Sequence, residues 1–374
     1  MPSPQRAGPG LADRVRLAGV PGLSPRLLRR LVARFGSPAA VLRAPLAEIA
    51  AVPGIGEARA SLLAAAPSAE DAERDLARAQ AAGAAVFAEG DAAWPPAFAE
   101  LPDPPPLLYV RGDAAFLSLR GVAIVGSRRA SVYGAAQARR LASELAATGI
   151  PVISGLARGI DAAAHRGALD AGGVTIGVLG GGLARFYPAE NLPLAREMAA
   201  GRGAVVSEFP LDMPPRPYHF PRRNRLIAAL AAAVVVVEAA EDSGSLITAD
   251  HALDLGREVL AVPGRVDNPN ARGVHRLLRE GAALCESGDD VLRALGLDPP
   301  QTAATTSRPD AVPAGANAAE TALLAALVGT ERHADELLEA TGLDPAKGLA
   351  ALSALELRGA VSLGADGRYA LAVR

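Results

Sequence analysis

From Gly121 to about Leu295, six short runs rich in valine and isoleucine alternate with helical stretches, and this pattern limits the available folds more than any other feature. The runs are GVAIVG, PVISG, VTIGVLG, AVVSEF, AVVVVEA and EVLAVPG. They are near-continuously apolar rather than alternating, as expected of strands covered on both faces. Helices between them act as crossovers, so neighbouring strands run parallel. The expected fold is α/β: a Rossmann-like, doubly wound parallel sheet. In such a sheet every strand exit falls on one edge, and ligands bind in the crevice there.

Five glycine-rich segments follow these strands. GSRRAS (Gly126 to Ser131) turns sharply from the first strand into a helix whose N-terminal N–H groups suit an anion. Arg128 stands there as a phosphate partner, with Gly126 and Ser127 forming the turn. SGLARGID repeats the arrangement at the next exit: Ser154 and Gly155 fit a turn, Arg158 and Gly159 follow, and Asp161 reads as an N-cap. His165 lies four residues after Asp161 on one helix face, but no nucleophile accompanies the pair, and a neutral core histidine is the favoured reading. VLGGGLARFYPAEN is the third segment; Gly244 and Ser245 open a helix in the fourth; EVLAVPGRVDNPNARG is the fifth. None is a GxGxxG fingerprint, and no acidic residue is placed to hold a ribose after the second strand, so a nicotinamide or flavin site is not expected.

The most informative stretch is RPYHFPRRNR (Arg216 to Arg225), with four arginines, two aromatics and no acid. Guanidinium groups interleaved with aromatic rings supply what a single strand needs: phosphate partners beside base-stacking surfaces. Phe220 is the candidate stacking ring, and Arg222, Arg223 and Arg225 the candidate phosphate partners, with one of them open to a buried scaffold role.

The chain of 374 residues has a net charge of −2, which excludes a uniformly basic coat but not a local basic pocket. Alanine inflates the 50% apolar content, so less large side chain is available for packing than that figure suggests. Lys347 is the only lysine, so P-loop and Schiff-base lysines have no candidate in the α/β region and phosphate contacts fall to arginine and backbone. Cys285 is the only cysteine, which excludes an intramolecular disulfide and a cysteine metal cluster. No metal site, cofactor or catalytic residue is expected. No signal peptide is evident in Met1 to Gly10 and no apolar stretch is long enough to span a membrane, so a cytoplasmic protein without membrane insertion is expected.

Composition divides the rest. Residues 1–75 read as a helical, helix-hairpin-helix-like domain, in which VPGLS and VPGIG each precede a helix. Residues 1–60 carry nine arginines against three acids; contact with DNA and packing against protein both remain open, the second favoured. Residues 76–110 are a proline-rich connection packing on the core, anchored by Trp94. Residues 111–298 are the Rossmann-like domain, 299–317 a flexible linker, and 318–374 a winged-helix-like domain. That tail has eight acids and five bases, too few cations for a duplex reader, so a protein contact or packing role is favoured. Its Leu349, Leu352, Leu355 and Leu357 are expected in its core.

AIVGSRRASVYG, SGLARGIDAAAH, GVLGGGLARFYPAEN, VVSEFP, FPRRNRLIAAL, VVVVEAAEDSGSLITADHAL and EVLAVPG, in that order, resemble the bacterial DNA-processing protein A (DprA/Smf) family over roughly residues 90–295. The resemblance implies a non-catalytic, single-stranded-DNA-binding recombination mediator. It would protect incoming strands during natural transformation, help to load the RecA recombinase and form a homodimer through the Rossmann-like domain. Carried over by motif, the DNA-binding residues are Gly126, Ser127 and Arg128; Ser154, Gly155, Arg158 and Gly159; Phe220, Arg222, Arg223, Asn224 and Arg225; and Gly244 and Ser245. One departure is GVHRLL (Gly273 to Leu278), where the family commonly has a Gly-Asn or Gly-Thr pair; there a polar contact is either absent or supplied by His275. The alternatives are a phosphoribohydrolase-like nucleotide enzyme, whose PGGxGTxxE-type loop is missing, and a duplex-DNA regulator acting through residues 318–374.

Overall fold

The computed structural model describes residues 10–20, 23–299, 316–328, 330–364 and 366–372. The VPGLS turn at Pro21 and Gly22, most of the expected linker and nearly all of the Met1 to Gly10 segment lie outside the described residues.

The chain opens with α1 (Leu11–Ala18), α2 (Pro25–Phe35), α3 (Pro38–Arg43), α4 (Leu46–Ala50), α5 (Gly56–Leu63) and α6 (Ala69–Ala81). Local chemistry sets their ends. Ser24 caps α2 ahead of Pro25 at its first turn, and Gly36 closes it with φ of 86°. Ser68 and Asp71 form a reciprocal capping box on α6. Leu28, Leu31, Val41, Ile49 and Leu63 make a small core of their own. The expected boundary at residue 75 falls inside α6, which packs with α1 against the sheet.

The sheet has nine strands among the described residues: β1 (Ala84–Ala88), β2 (Leu107–Gly112), β3 (Gly121–Val125), β4 (Val152–Ser154), β5 (Thr175–Val178), β6 (Gly203–Ser207), β7 (Ala231–Val236), β8 (Glu258–Ala261) and β9 (Ala283–Leu284). Their order is β1-β2-β6-β5-β4-β3-β7-β8-β9. β3 to β9 run parallel, whereas β2 pairs antiparallel with β6 and β1 antiparallel with β2. The sheet is therefore mixed. The proline-rich connection is no mere joint, because it supplies β1 and the first residues of β2. Trp94 packs half-buried against the sheet's core and meets Phe98 of the same stretch edge-on at 5.7 Å.

Six of the nine strands are the six valine-rich runs. Their side chains alternate between two packed faces. Ala123, Val125, Val234 and Val236 point into one core, and Val122, Ile124, Ala233 and Val235 into the other. Each fully buried valine contributes roughly 1.5–3 kcal/mol, and here both faces collect that gain. The crossover helices are α7 (Val132–Ala147), α8 (Ile160–Asp170), α9 (Leu192–Ala200), α10 (His219–Leu230) and α11 (Gly244–Asp254), followed by α12 (Arg272–Arg279) and α13 (Gly288–Ala294).

The tail contains α14 (Ala318–Leu327), α15 (Ala334–Thr341) and α16 (Pro345–Leu357), with a three-stranded sheet of β10 (Arg332–His333), β11 (Val361–Leu363) and β12 (Arg368–Leu371). This is the expected winged-helix arrangement. Leu352 and Leu355 are buried with Leu323, Leu327 and Leu337. Leu349 and Leu357 are exposed, contrary to expectation, because they fall on the outer side of α16.

Candidate nucleic-acid interface

The strand order reverses beside β3: the chain winds outward through β4, β5 and β6, then returns to place β7 on the other side. The loops after β3 and β7 therefore part company and open a crevice at the carboxyl ends of the strands. A cavity of about 670 Å³ occupies this place.

Backbone contacts shape its rim. Ser127 N donates to Glu238 O at 2.7 Å, joining the two loops. Gly159 precedes α8 with φ of 71°, and any Cβ there would run into Ser127 O. Ser154 Oγ donates to Ile124 O at 2.7 Å from a fully buried position. Asp161 is not the N-cap of α8; that position is Gly159, and the Asp161 carboxylate instead accepts from Gly155 N at 3.0 Å and Ala157 N at 3.3 Å. Burial raises the Asp161 pKa, while Arg223 and the two amides act against that.

The start of α7, expected to receive an anion, is already supplied from within the chain. Gly134 N donates to Ser131 Oγ, Ser131 N to the Glu238 carboxylate, and Tyr133 N to Glu331 Oε1 of the winged-helix domain. The Glu238 carboxyl is itself buried, which raises its pKa, with the Ser131 donors opposing.

Of the residues singled out from sequence, Gly126, Ser127, Arg128, Phe220, Arg223, Asn224, Gly244 and Ser245 all line this one cavity. Arg128 lies over the Phe220 ring, 4.8 Å from its centroid. Arg223 is buried beneath the floor: its guanidinium sits where a Cβ on Gly155 would be, and it donates to Val178 O. Desolvation pushes its pKa down to about 10. Asn224 Nδ2 donates to Gly244 O at 3.0 Å and so ties α10 to the start of α11. Ser243 caps α11 and accepts from Ser245 N.

Six others do not line the cavity. Ser154, Gly155 and Gly159 build the loops behind it. Arg158 is held by Glu190 in a two-point pair, one contact being 2.9 Å. Arg222 and Arg225 lie on a different face of α10, where both donate to Glu208 Oε2, at 2.9 and 2.6 Å. Helical geometry separates them from Phe220, Arg223 and Asn224. His275 also lies elsewhere, with Nε2 3.0 Å from Gly264 O. His165 is wholly buried against Thr175 Oγ1 at 2.7 Å, and desolvation lowers its pKa to about 3, the neutral core histidine that was favoured.

The structure adds lining residues that sequence alone did not single out individually as part of the site: Arg129, Tyr187, Arg216 and Asn270. Arg216 belongs to the arginine-rich stretch, and Tyr187 to the third glycine loop. Among the described residues, no cluster of three or more His, Cys, Asp or Glu is placed to hold a metal ion.

A doubly wound α/β protein with a cationic crevice at its switch point, flanked by helical and winged-helix domains, is the class that fold and site define. Residues 85–296 match the family model for DNA recombination-mediator protein A, and the chain belongs to that family. Residues 307–367 match the DprA winged helix domain, and residues 15–66 a SAM-like helix-hairpin-helix tandem. Protein Smf of Escherichia coli is 46% identical over 202 residues, which is 54% of this chain and 54% of that protein, so the match spans about half of that relative's length. The X-ray structure of DNA processing protein A from Streptococcus pneumoniae superposes with a TM-score of 0.65 at 33% identity, covering 75% of this chain and 95% of that one. The corresponding protein from Helicobacter pylori, whose structure describes a single-stranded DNA binding mode, gives a TM-score of 0.51 at 32% identity over 57% of this chain and 95% of that one.

Proposed function

We propose that this chain binds single-stranded DNA along the switch-point crevice and acts as a recombination mediator without turnover chemistry. One observation carries the reading: the cavity is lined by Arg128, Arg129, Arg216 and Arg223 together with Phe220 and Tyr187, against the single carboxylate of Asp161. The exposed guanidinium groups of Arg128, Arg129 and Arg216 would take phosphates while the rings take bases, as a single strand requires. At the start of α11, Gly244 N supplies a further N–H donor, Ser245 N being taken by the Ser243 side chain. Arg128 must swing off Phe220 before a base stacks on that ring. Gly126, Ser127 and Asn224 set the rim; Ser154, Gly155, Gly159, Arg222, Arg223 and Arg225 hold the elements that carry it, and Arg158 reaches a phosphate only by leaving Glu190.

Family membership supports the wider role. The protein would guard incoming strands in the cytoplasm during natural transformation, pass them to RecA and work as a homodimer through the α/β domain. Among the described residues, no helix is long and apolar enough to cross a membrane.

Fluorescence anisotropy with oligo-dT and an equal-length duplex tests the central claim. Single strands should bind more tightly. With three exposed arginines at the crevice, log K should fall with log salt at a slope of about −2. Equal affinity for both, or none for the single strand, would refute it. Release of base from nucleoside monophosphates would favour the nucleotide-enzyme alternative instead.

A further inference from the structure

Two aromatic rings meet at the crevice, and they are not equivalent. Phe220 is packed from behind by Gly180 and covered in front by the Arg128 guanidinium. Tyr187 stands 6.0 Å from it, centroid to centroid, with the ring planes 56° apart. That tilt prevents the pair from sandwiching a base between them. Tyr187 is 42% exposed. Arg158 lies over its ring 5.9 Å from the centroid, at the outer limit of contact, while also paired with Glu190. Both rings line the same cavity and both meet a guanidinium, but Phe220 is closely covered and half-buried, whereas the Tyr187 ring is exposed and only loosely covered.

An exposed, loosely covered aromatic ring beside exposed guanidinium groups matches the alternation of base and phosphate along a single strand. We propose that Tyr187 is a nucleobase-stacking residue of this crevice, and the platform that an incoming strand meets before Arg128 uncovers Phe220. The inference rests on the single-strand reading above and assigns a part of it to a residue outside the arginine-rich motif. The stacking surface is sequence-tolerant, because every base presents a π face.

The test uses the full chain and fluorescence anisotropy with two labelled strands: oligo-dT and an abasic deoxyribose-phosphate strand of equal length. Tyr187→Ala should weaken oligo-dT binding roughly 5- to 150-fold, the range expected for loss of one stacked base. Tyr187→Phe should stay within about twofold of wild type, since the ring rather than the hydroxyl stacks. The abasic strand should bind wild type and Tyr187→Ala equally. Tyr187→Leu, which keeps bulk but not the π face, should behave like the alanine variant and shows that a packing defect is not responsible. Wild-type affinity of Tyr187→Ala for oligo-dT overturns the assignment, as does an equal loss on both strands or recovery by leucine. Failure of the wild type to bind either strand overturns the single-strand reading itself.

Discussion

Replacing Glu208 with alanine strands a positive charge inside the protein. The Glu208 side chain is wholly inaccessible, and Oε2 receives Nη2 of both Arg222 and Arg225. The two arginines differ in what they lose. Arg222 is 40% exposed and can turn to water, so its share is within about 1 kcal/mol. Arg225 is 10% exposed, its Nη1 already lacks a partner, and burial already lowers its pKa. Removing one member of a buried pair of this kind costs about 3–5 kcal/mol. At roughly 2–4 °C per kcal/mol for a domain of this size, the thermal midpoint should fall by about 6–20 °C. Circular dichroism at pH 7 measures it. The double variant E208L/R225M should recover most of the loss, because exchanging a buried pair for apolar groups of similar volume is close to neutral. A single variant within about 1 kcal/mol of wild type, or a double variant no better than the single, would refute the reasoning.

Three further outcomes are expected. Glu190→Gln should release Arg158 toward phosphate, tightening single-strand binding about two- to fivefold and steepening the salt slope by about 0.7; unchanged affinity and slope would show that Arg158 plays no part. The His165 imidazole titrates near 3 in the folded chain and near 6.5 unfolded, so its contribution is complete above about pH 6.5 and fades as pH falls toward 3, by up to about 1.4 kcal/mol per unit; urea denaturation from pH 7.5 to 4.5 should show that slope in wild type and its loss in His165→Gln, and identical slopes would contradict it. Gly155→Ala should displace the buried Arg223 guanidinium, costing about 3 kcal/mol or more and weakening DNA binding, whereas a variant as stable as wild type would disprove the close approach.

Much of the sheet was legible in the sequence, because strands buried on both faces must be apolar throughout, and Val122 to Val125 and Val234 to Val236 satisfy that requirement. β1 and β2 were hidden by their setting: AAVFA and LLYVRG flank a proline-rich stretch whose turn signals dominate. β9 is two residues long and both are exposed, which leaves no periodicity to detect. The site was half visible. Glycines at strand exits located the crevice correctly, since parallel strands force their exits together. The arginine-rich stretch misled in one respect. It contains no acid along the chain, yet Glu208 lies against two of its arginines in space, and Glu190 holds Arg158 in the same way. Carboxylates brought in from other loops leave no trace in a local charge count. Tyr187 escaped notice because an aromatic pair in a glycine loop, Phe186 and Tyr187, does not tell which ring faces the crevice.

The antiparallel pairing of β2 with β6 has a consequence for how the chain emerges during synthesis. Val110 lies opposite Val206, so the first two strands exist long before their neighbour does. At 5–20 residues per second the intervening segment takes on the order of 10 s to appear. Until then the edge of β2 that pairs with β6 has no partner, although α1 and α6, made earlier, share a core with Leu107 and Tyr109. That waiting period is when a nascent-chain chaperone would find its target, and it makes β6, rather than any earlier element, the strand whose arrival first lets the two halves of the sheet close.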